Sequence, residues 1–359
     1  MKITLSAINA PHEAMAAVVG CMKMGDIGQS SWVCEFEERI ADYVGAKHCI
    51  ATSSGTMADA VAVVAMARKH KRSTFVVPAL TFIAHPNSVL YNGLRIQFVD
   101  VNADWTMRVD EALKYKDTAI AFPSDIMGRI PDYSALSGQM PILEDACEAF
   151  GARRGEKKAG TFGEIGAFSF FVSHTITTGE GGAIVTDDDW LAHLCRQLRS
   201  HGRASETDAT QKFHFSHIGF NGKMSGLTAA FGVGVMDRVE EYVERRHQVF
   251  ERMNGALGLW DAGEDYVVPH GYPLEFKGEM ARNEAMHELL EAGIECRKFF
   301  SCIPEHEAAY EFMKDRYGFN STAVMIAQTY LYVPCHQNLS NDDVDYIVKA
   351  VEHLHGVRR

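Results

Sequence analysis

Residues 141–186 hold the side chains whose types and spacing could do chemistry together. Ile142-Leu143-Glu144-Asp145-Ala146-Cys147-Glu148 sets an acidic pair at the end of a short apolar run that reads as a strand. In open α/β sheets, ligands sit at the carboxyl ends of strands. A carboxylate buried there must be paired or neutralised. One natural partner for Asp145 is the protonated ring nitrogen of a pyridoxal-type cofactor, since an aspartate that keeps this nitrogen charged makes the ring an electron sink. A strand-end Asp is also a common cap or turn residue, so Asp145 alone leaves both readings open. The glycine-rich Ala159-Gly160-Thr161-Phe162-Gly163 lets the backbone turn tightly after this strand, and Ser169 stands at strand spacing where a hydroxyl could meet a phosphate. Upstream, Ser53-Ser54-Gly55-Thr56-Met57-Ala58 lies between a strand-like and a helix-like segment. Free N–H groups at such a helix start form an anion site, although small polar residues cap many helices that bind nothing.

These residues need elements to hold them. Short apolar, β-rich runs at 49–52, 74–77, 96–99, 118–122, 141–144, 167–171 and 182–186 alternate with helical patterns such as 56–70, 83–92 and 187–200. Strands alternating with helices predict an α/β fold with a mostly parallel central sheet and flanking helices. A long charged helix is expected over 227–257, with Val235, Val239, Val243 and Val249 as its apolar stripe. A smaller α+β unit follows, with a strand at 266–269 and helices at 280–292, 322–328 and 341–354. We therefore expect a large cofactor-binding domain over 1–240 and a small C-terminal domain over 241–359.

Composition sets the outer limits. The 359 residues carry 35 Lys plus Arg against 47 Asp plus Glu, a formal charge of −12. Such a surface repels phosphate backbones and argues against nucleic-acid binding. With 47% hydrophobic and 23% charged residues, the chain can build a globular core. The longest clean apolar stretches, 14–22 and 60–67, fall well short of the roughly 20 residues a membrane span needs, so no membrane partner is expected and the protein reads as cytoplasmic. The eight cysteines include no Cys-x-x-Cys pair and read as reduced, mostly buried thiols rather than a metal or disulfide framework. His201, His214 and His217 match no strong metal-ligand spacing. Lys212, Lys223, Arg203 and Arg297 could meet a diphosphate or be solvated surface charges.

Read together, the motifs resemble the DegT/StrS sugar aminotransferases, pyridoxal-phosphate enzymes of fold type I. The resemblance runs through Gly25-Asp26-Ile27-Gly28, Tyr43-Val44-Gly45-Ala46-Lys47-His48, Ser54-Gly55-Thr56, Pro78-Ala79-Leu80-Thr81-Phe82, Glu144-Asp145-Ala146, the block from Ser169 to Gly182, Arg199-Ser200-His201-Gly202, Gly219-Phe220-Asn221 and Val333-Pro334-Cys335-His336. It implies that Gly55 and Thr56 cradle the cofactor phosphate, Phe82 stacks on its ring, Asp145 partners its ring nitrogen and Ser169 binds its phosphate. Asn221 would reach the cofactor phosphate of a neighbouring subunit, which implies a homodimer with shared active sites.

One departure bears on mechanism. In the aminotransferases of this family, the position five residues after the motif serine is the lysine that attaches the cofactor. Here it is His174, and no lysine occurs between Lys158 and Lys212. An imidazole cannot hold the cofactor covalently, but it can move protons. The family's GDP-4-keto-6-deoxymannose 3-dehydratase branch carries histidine at this place. The sequence is similar to that branch at Ala159–Gly163, Phe171-Val172-Ser173-His174, Glu180-Gly181-Gly182 and Gly293-Ile294-Glu295-Cys296-Arg297, and in Glu148, which would contact the cofactor's ring hydroxyl. Phe82 in place of a tryptophan, and the segment 333–339, are closer to the aminotransferases. The resemblance thus implies pyridoxal 5′-phosphate or pyridoxamine 5′-phosphate as cofactor and a nucleotide-linked 4-keto-6-deoxyhexose as substrate. His174 would be the acid/base for removal of the carbon-3 hydroxyl, with L-glutamate as amino donor. The alternatives are a nucleotide-sugar aminotransferase whose lysine has been replaced, and a cofactor-binding protein without catalysis.

Overall fold

The computed structural model describes residues 2–6, 8, 10–205, 210, 213–263, 265–314 and 322–358. The main elements, in chain order, are α1 (His12–Met24), α2 (Ser31–Val44), β1 (His48–Thr52), α3 (Gly55–His70), β2 (Thr74–Pro78), α4 (Ala84–Leu90), β3 (Arg95–Val99), β4 (Ala119–Ala121), β5 (Leu143–Asp145), β6 (Ile165–Ser169) and β7 (Gly182–Thr186). They continue as α5 (Asp189–Arg199), α6 (Gly226–Met236), α7 (Val239–Leu257), β8 (Tyr272–Glu275), α8 (Glu279–Glu291), β9 (Arg297–Lys298), α9 (Thr322–Thr329), β10 (Tyr330–Val333) and α10 (Asn341–His353).

β3, β2 and β4 pair in parallel, and β5 pairs in parallel with β6. The parallel bridges Ala121–Ile142 and Ser124–Asp145 join the two groups. β7 then pairs antiparallel with both β6 and β1. The strand order is β3-β2-β4-β5-β6-β7-β1, and only β7 runs against the rest. The expected α/β architecture with a mostly parallel sheet is what forms.

The strand sequences explain why both faces of the sheet are covered. Phe75, Val77, Ile120, Leu143, Ala167 and Ile184 enter one core cluster, while their neighbours Val76, Ala119, Ala121, Ile142, Phe168, Ala183 and Val185 enter another. Side chains alternate faces along a strand, so continuous apolar runs need helices on both sides. α3 supplies much of one layer, with Ala58, Val61, Ala62, Ala65 and Met66 buried. Each fully buried Val, Leu, Ile, Phe or Met contributes on the order of 1.5–3 kcal/mol.

Two expectations are corrected. The single helix over 227–257 is two: α6 ends at Met236, and α7 starts after Arg238, whose φ of −120° and ψ of 15° leave the helical path. α6 is apolar enough to be buried between α1 and α2, whereas α7 carries a charged outer face and packs on α10; one straight helix cannot serve both neighbours. The strand expected at 266–269 is also absent. Tyr266 makes one bridge, to Arg153, and the strand begins at Tyr272, past Gly271. Pro273 is tolerated in β8 because this edge strand of the small sheet, ordered β8-β10-β9, pairs on one side only. No helix among the described residues is long and apolar enough to cross a membrane.

Candidate active site

Because β1, β2, β4, β5 and β6 share one direction, their carboxyl ends open onto one edge of the sheet. A cavity of about 330 Å³ lies there. Gly55, Thr56, Phe82, Asp145, Glu148, Ser169 and His174 all line it. Of the residues singled out in the sequence, Asn221 does not. It is exposed, forms a bridge with Ser200, and its Oδ1 accepts a hydrogen bond from Lys223 Nζ at 2.6 Å.

At the phosphate end, the Ser54 side chain caps α3 by accepting from Met57 N at 3.2 Å. Gly55 is fixed by close approach: a Cβ on it would lie 2.6 Å from Ser169 Cβ. The α3 N-terminus and the Ser169 hydroxyl thus meet at the cavity wall, and a helix N-terminus favours an anion. Ser169 closes β6, and its Oγ also accepts from Phe171 N at 3.4 Å.

Asp145 ends β5 and is 6% exposed. Its Oδ2 accepts from Ser124 Oγ at 3.2 Å, its Oδ1 accepts from Cys147 N at 3.1 Å, and His85 Nδ1 lies 3.3 Å from Oδ2. Glu144, the other half of the acidic pair, points away from the cavity. It accepts from Gly160 N at 2.5 Å, Phe162 N at 2.6 Å and Gly163 N at 3.1 Å, and so holds the glycine-rich turn. Gly160 has a φ of +86°, in the left-handed region that favours glycine. One carboxylate therefore serves the ligand end and its neighbour serves the turn.

Glu148 accepts from Met127 N at 2.8 Å, and His270 Nε2 stands 3.8 Å from its Oε1. Burial, with help from Asp145, raises the Glu148 carboxyl to about 8. His174 forms the opposite wall. Burial, and then the Arg246 guanidinium, lower its imidazole to about 3, so it is neutral at physiological pH. Its Nδ1 has no partner among the described residues, and its ring centroid is 5.2 Å from that of His270. Arg246 is itself buried and donates to Pro269 O at 3.0 Å and Gln337 Oε1 at 2.8 Å. Phe82 is 60% exposed and approaches Phe300 edge-on at 6.4 Å, which leaves a ring face free toward the cavity mouth. Among the described residues, no lysine lines the cavity.

Several lining residues escaped the sequence reading: Asp59, His85, Ser124, His270 and Tyr332. Asp59 had a signal, as the one acid within the otherwise apolar 57–66. His85 and His270 had none; the chain's folding alone brings them beside Asp145 and Glu148. Of the cations considered for a diphosphate, Arg297 lines the cavity, Arg203 instead lies over the Phe215 ring, and Lys212 falls outside the described residues. His201, His214 and His217 stand away from the cavity. Cys147 lies beside Asp145, and burial pushes its thiol well up, which disfavours a nucleophilic thiolate.

The donor set suits a pyridoxal-type group. A helix N-terminus with a facing serine hydroxyl would suit a phosphate, and the Asp145 carboxylate on the same cavity would suit a pyridinium nitrogen. The fold and this edge define an α/β enzyme of fold type I. The model of the DegT/DnrJ/EryC1/StrS aminotransferase family matches residues 9–352, and the chain belongs to that family. GDP-perosamine synthase of Caulobacter vibrioides is 33% identical, over 98% of this chain and 98% of its own length. GDP-4-keto-6-deoxy-D-mannose 3-dehydratase of Yersinia pseudotuberculosis is 29% identical, over 76% of this chain and 78% of its own. A solved structure of the E. coli GDP-4-keto-6-deoxy-D-mannose-3-dehydratase with bound hydrated PLP superposes with a TM-score of 0.86 at 22% identity, covering 98% of this chain and 99% of that one. The protein is a sugar-modifying enzyme that uses pyridoxal or pyridoxamine phosphate.

Proposed function

We propose that the enzyme removes the carbon-3 hydroxyl of a nucleotide-linked 4-keto-6-deoxyhexose, using pyridoxamine phosphate and an amino donor such as L-glutamate. One observation carries this reading: a neutral His174, whose Nδ1 has no partner among the described residues, stands in the cavity wall, and no lysine among the described residues lines the cavity. In the net reaction, the carbon-3 C–O bond breaks and a C–H bond forms. Glutamate is oxidised to 2-oxoglutarate, ammonia leaves, and atoms balance without added water.

Gly55, Thr56, Ser54 and Ser169 would hold the cofactor phosphate, Asp145 the ring nitrogen, Glu148 the ring hydroxyl and Phe82 a ring face. When bound, the cofactor supplies an electron sink next to its exocyclic carbon. The lowered proton affinity of His174 keeps it unprotonated and ready to accept a proton on a ring nitrogen; once charged it is a strong acid, and it delivers that proton to the departing carbon-3 oxygen. Glu148, holding a proton near neutral pH, acts as a donor rather than a second negative charge. Burial, and then Arg246, keep the base uncharged between turnovers. Arg297, at the cavity edge, is placed to meet the nucleotide diphosphate.

A second reading is amino transfer at carbon 4, favoured by the 33% identity to a perosamine synthase along nearly the whole chain. The two separate on product analysis. Incubation with GDP-4-keto-6-deoxymannose, pyridoxamine phosphate and glutamate should yield free ammonia, 2-oxoglutarate and a sugar lighter by one oxygen. An amino sugar with no free ammonia would overturn dehydration in favour of transfer.

A further inference from the structure

Asp59 sits on α3, inside the cavity, at the end where Asp145 lies. It is 2% exposed, and its Oδ1 has no hydrogen-bond partner among the described residues. One oxygen of Asp59, one of Asp145 and Cys147 Sγ lie within 4.8 Å of one another. We propose that Asp59 and Asp145 form a carboxyl pair sharing one proton at the ring-nitrogen end of the cofactor, with Asp59 carrying the proton and Asp145 the charge.

Glu148 and Asp125, which also feel the Asp145 charge, are acids that burial pushes up, so neither brings a positive charge to the pair. From α4, His85 lies 3.3 Å from Asp145, but burial lowers its imidazole to about 4, so it brings no positive charge. From the loop after β5, Cys147 is held as a neutral thiol by burial and the two acids. Burial, and then the Asp145 charge, push the Asp59 carboxyl well up. Two carboxyls buried together without a cation cannot both ionise, so one proton stays with the pair. Asp145 spends its acceptors on Ser124, on Cys147 N and beside His85, whereas Asp59 has no donor to satisfy it and is the better place for the proton. The pair then presents a single negative charge, matching one pyridinium N–H. Asp59 is thus a positioning residue that sets the charge Asp145 offers. It also confers a response to alkali, since loss of its proton adds a second negative charge beneath the ring and holds the ring proton more tightly.

This inference rests on the cofactor reading but not on which sugar reaction follows, so the test uses cofactor alone. Pyridoxamine phosphate bound to the full chain is titrated from neutral to alkaline pH by absorbance, in wild type and in Asp59→Asn. Beyond the Glu148 ionisation near 8 that both proteins share, the wild type should show one ionisation more than Asp59→Asn, whose ring deprotonation should be lower by on the order of one pH unit. Superimposable curves would overturn the pair and leave the cofactor reading intact. Failure of the wild type to take up pyridoxamine phosphate would overturn both. Infrared spectra of Asp145→Asn give an independent reading: without its charged neighbour, the Asp59 carboxyl should ionise at lower pH than in wild type, and an unchanged midpoint counts against the proposal.

Discussion

His174 meets the cavity as an uncharged imidazole because desolvation and the Arg246 guanidinium both oppose its protonation. As a neutral base it has a lone pair available at any physiological pH. Replacing it with Asn removes the proton carrier but keeps a polar side chain of similar size. We expect His174→Asn to reduce turnover by about 10²–10⁴, with pyridoxamine phosphate affinity, measured by fluorescence titration, changed by less than about threefold. Glu148 gives a second prediction, on stability. Its folded-state proton affinity lies at about 8, against roughly 4.3 for an unperturbed Glu. Below about pH 4 both states are protonated and the group's contribution is fully present; it declines as pH rises toward 8, because the unfolded chain gains by releasing the proton and the folded one does not. The cofactor-free wild type should therefore lose stability relative to Glu148→Gln between pH 5 and 8, by on the order of 3 kcal/mol. Denaturant melts of both proteins across that window decide it, and parallel curves would show that Glu148 is ionised in the fold.

At the scale of elements, the site is made where strands stop. β5 ends on Asp145 and β6 on Ser169, while β1 leads through Ser54 into α3. The closeness of Gly55 to Ser169 makes the proposed phosphate cradle a contact between a helix start and a strand end. A methyl group at Gly55 must push these elements apart. Gly55→Ala should weaken cofactor binding by about tenfold or more, equivalent to about 1.4 kcal/mol, as read by equilibrium dialysis. The melting temperature of the cofactor-free protein should move far less, because the displaced atoms border a cavity rather than the core. A loss of folding equal to the loss of binding would mean that Gly55 serves packing instead.

For the whole molecule, the one site residue outside the cavity is Asn221. We propose that it completes the cavity of a second copy in a homodimer, which would give it a phosphate-binding role although it does not line its own cavity. Neither His174→Asn nor Asn221→Ala alone should sustain turnover. Denaturing and refolding the two together should restore activity that neither parent has, since one of the two sites in a mixed dimer would hold both wild-type residues. An inactive mixture, with mixed dimers verified by mass, would place Asn221 outside the reaction.

How much of this was legible beforehand follows from how each signal arises. The sheet was readable because its strands are apolar on both faces, and 182–186 or 74–77 admit few other readings. The break at Asp237-Arg238 was not readable, because the valine stripe continues across it and only the different neighbours of α6 and α7 turn the chain. Gly55, Thr56, Asp145 and Ser169, which the structure places along the cavity, could be singled out because their setting is written into local order: a cap before a helix, an acid or hydroxyl at a strand end. Asp59, His85 and His270 were hidden, because each becomes a site residue only through a neighbour far away in the chain.

The amino-acid order by itself determined the layered α/β architecture, the capped helix start at Ser54-Gly55 and the histidine at position 174, since hydrophobic periodicity, capping and residue identity are local properties. Only the tertiary structure decided the charge states: that His174 is neutral, that Glu148 keeps its proton and that Asp59 lies against Asp145. Proton affinity depends on solvent exclusion and on charges from distant segments, and neither exists until the chain has folded.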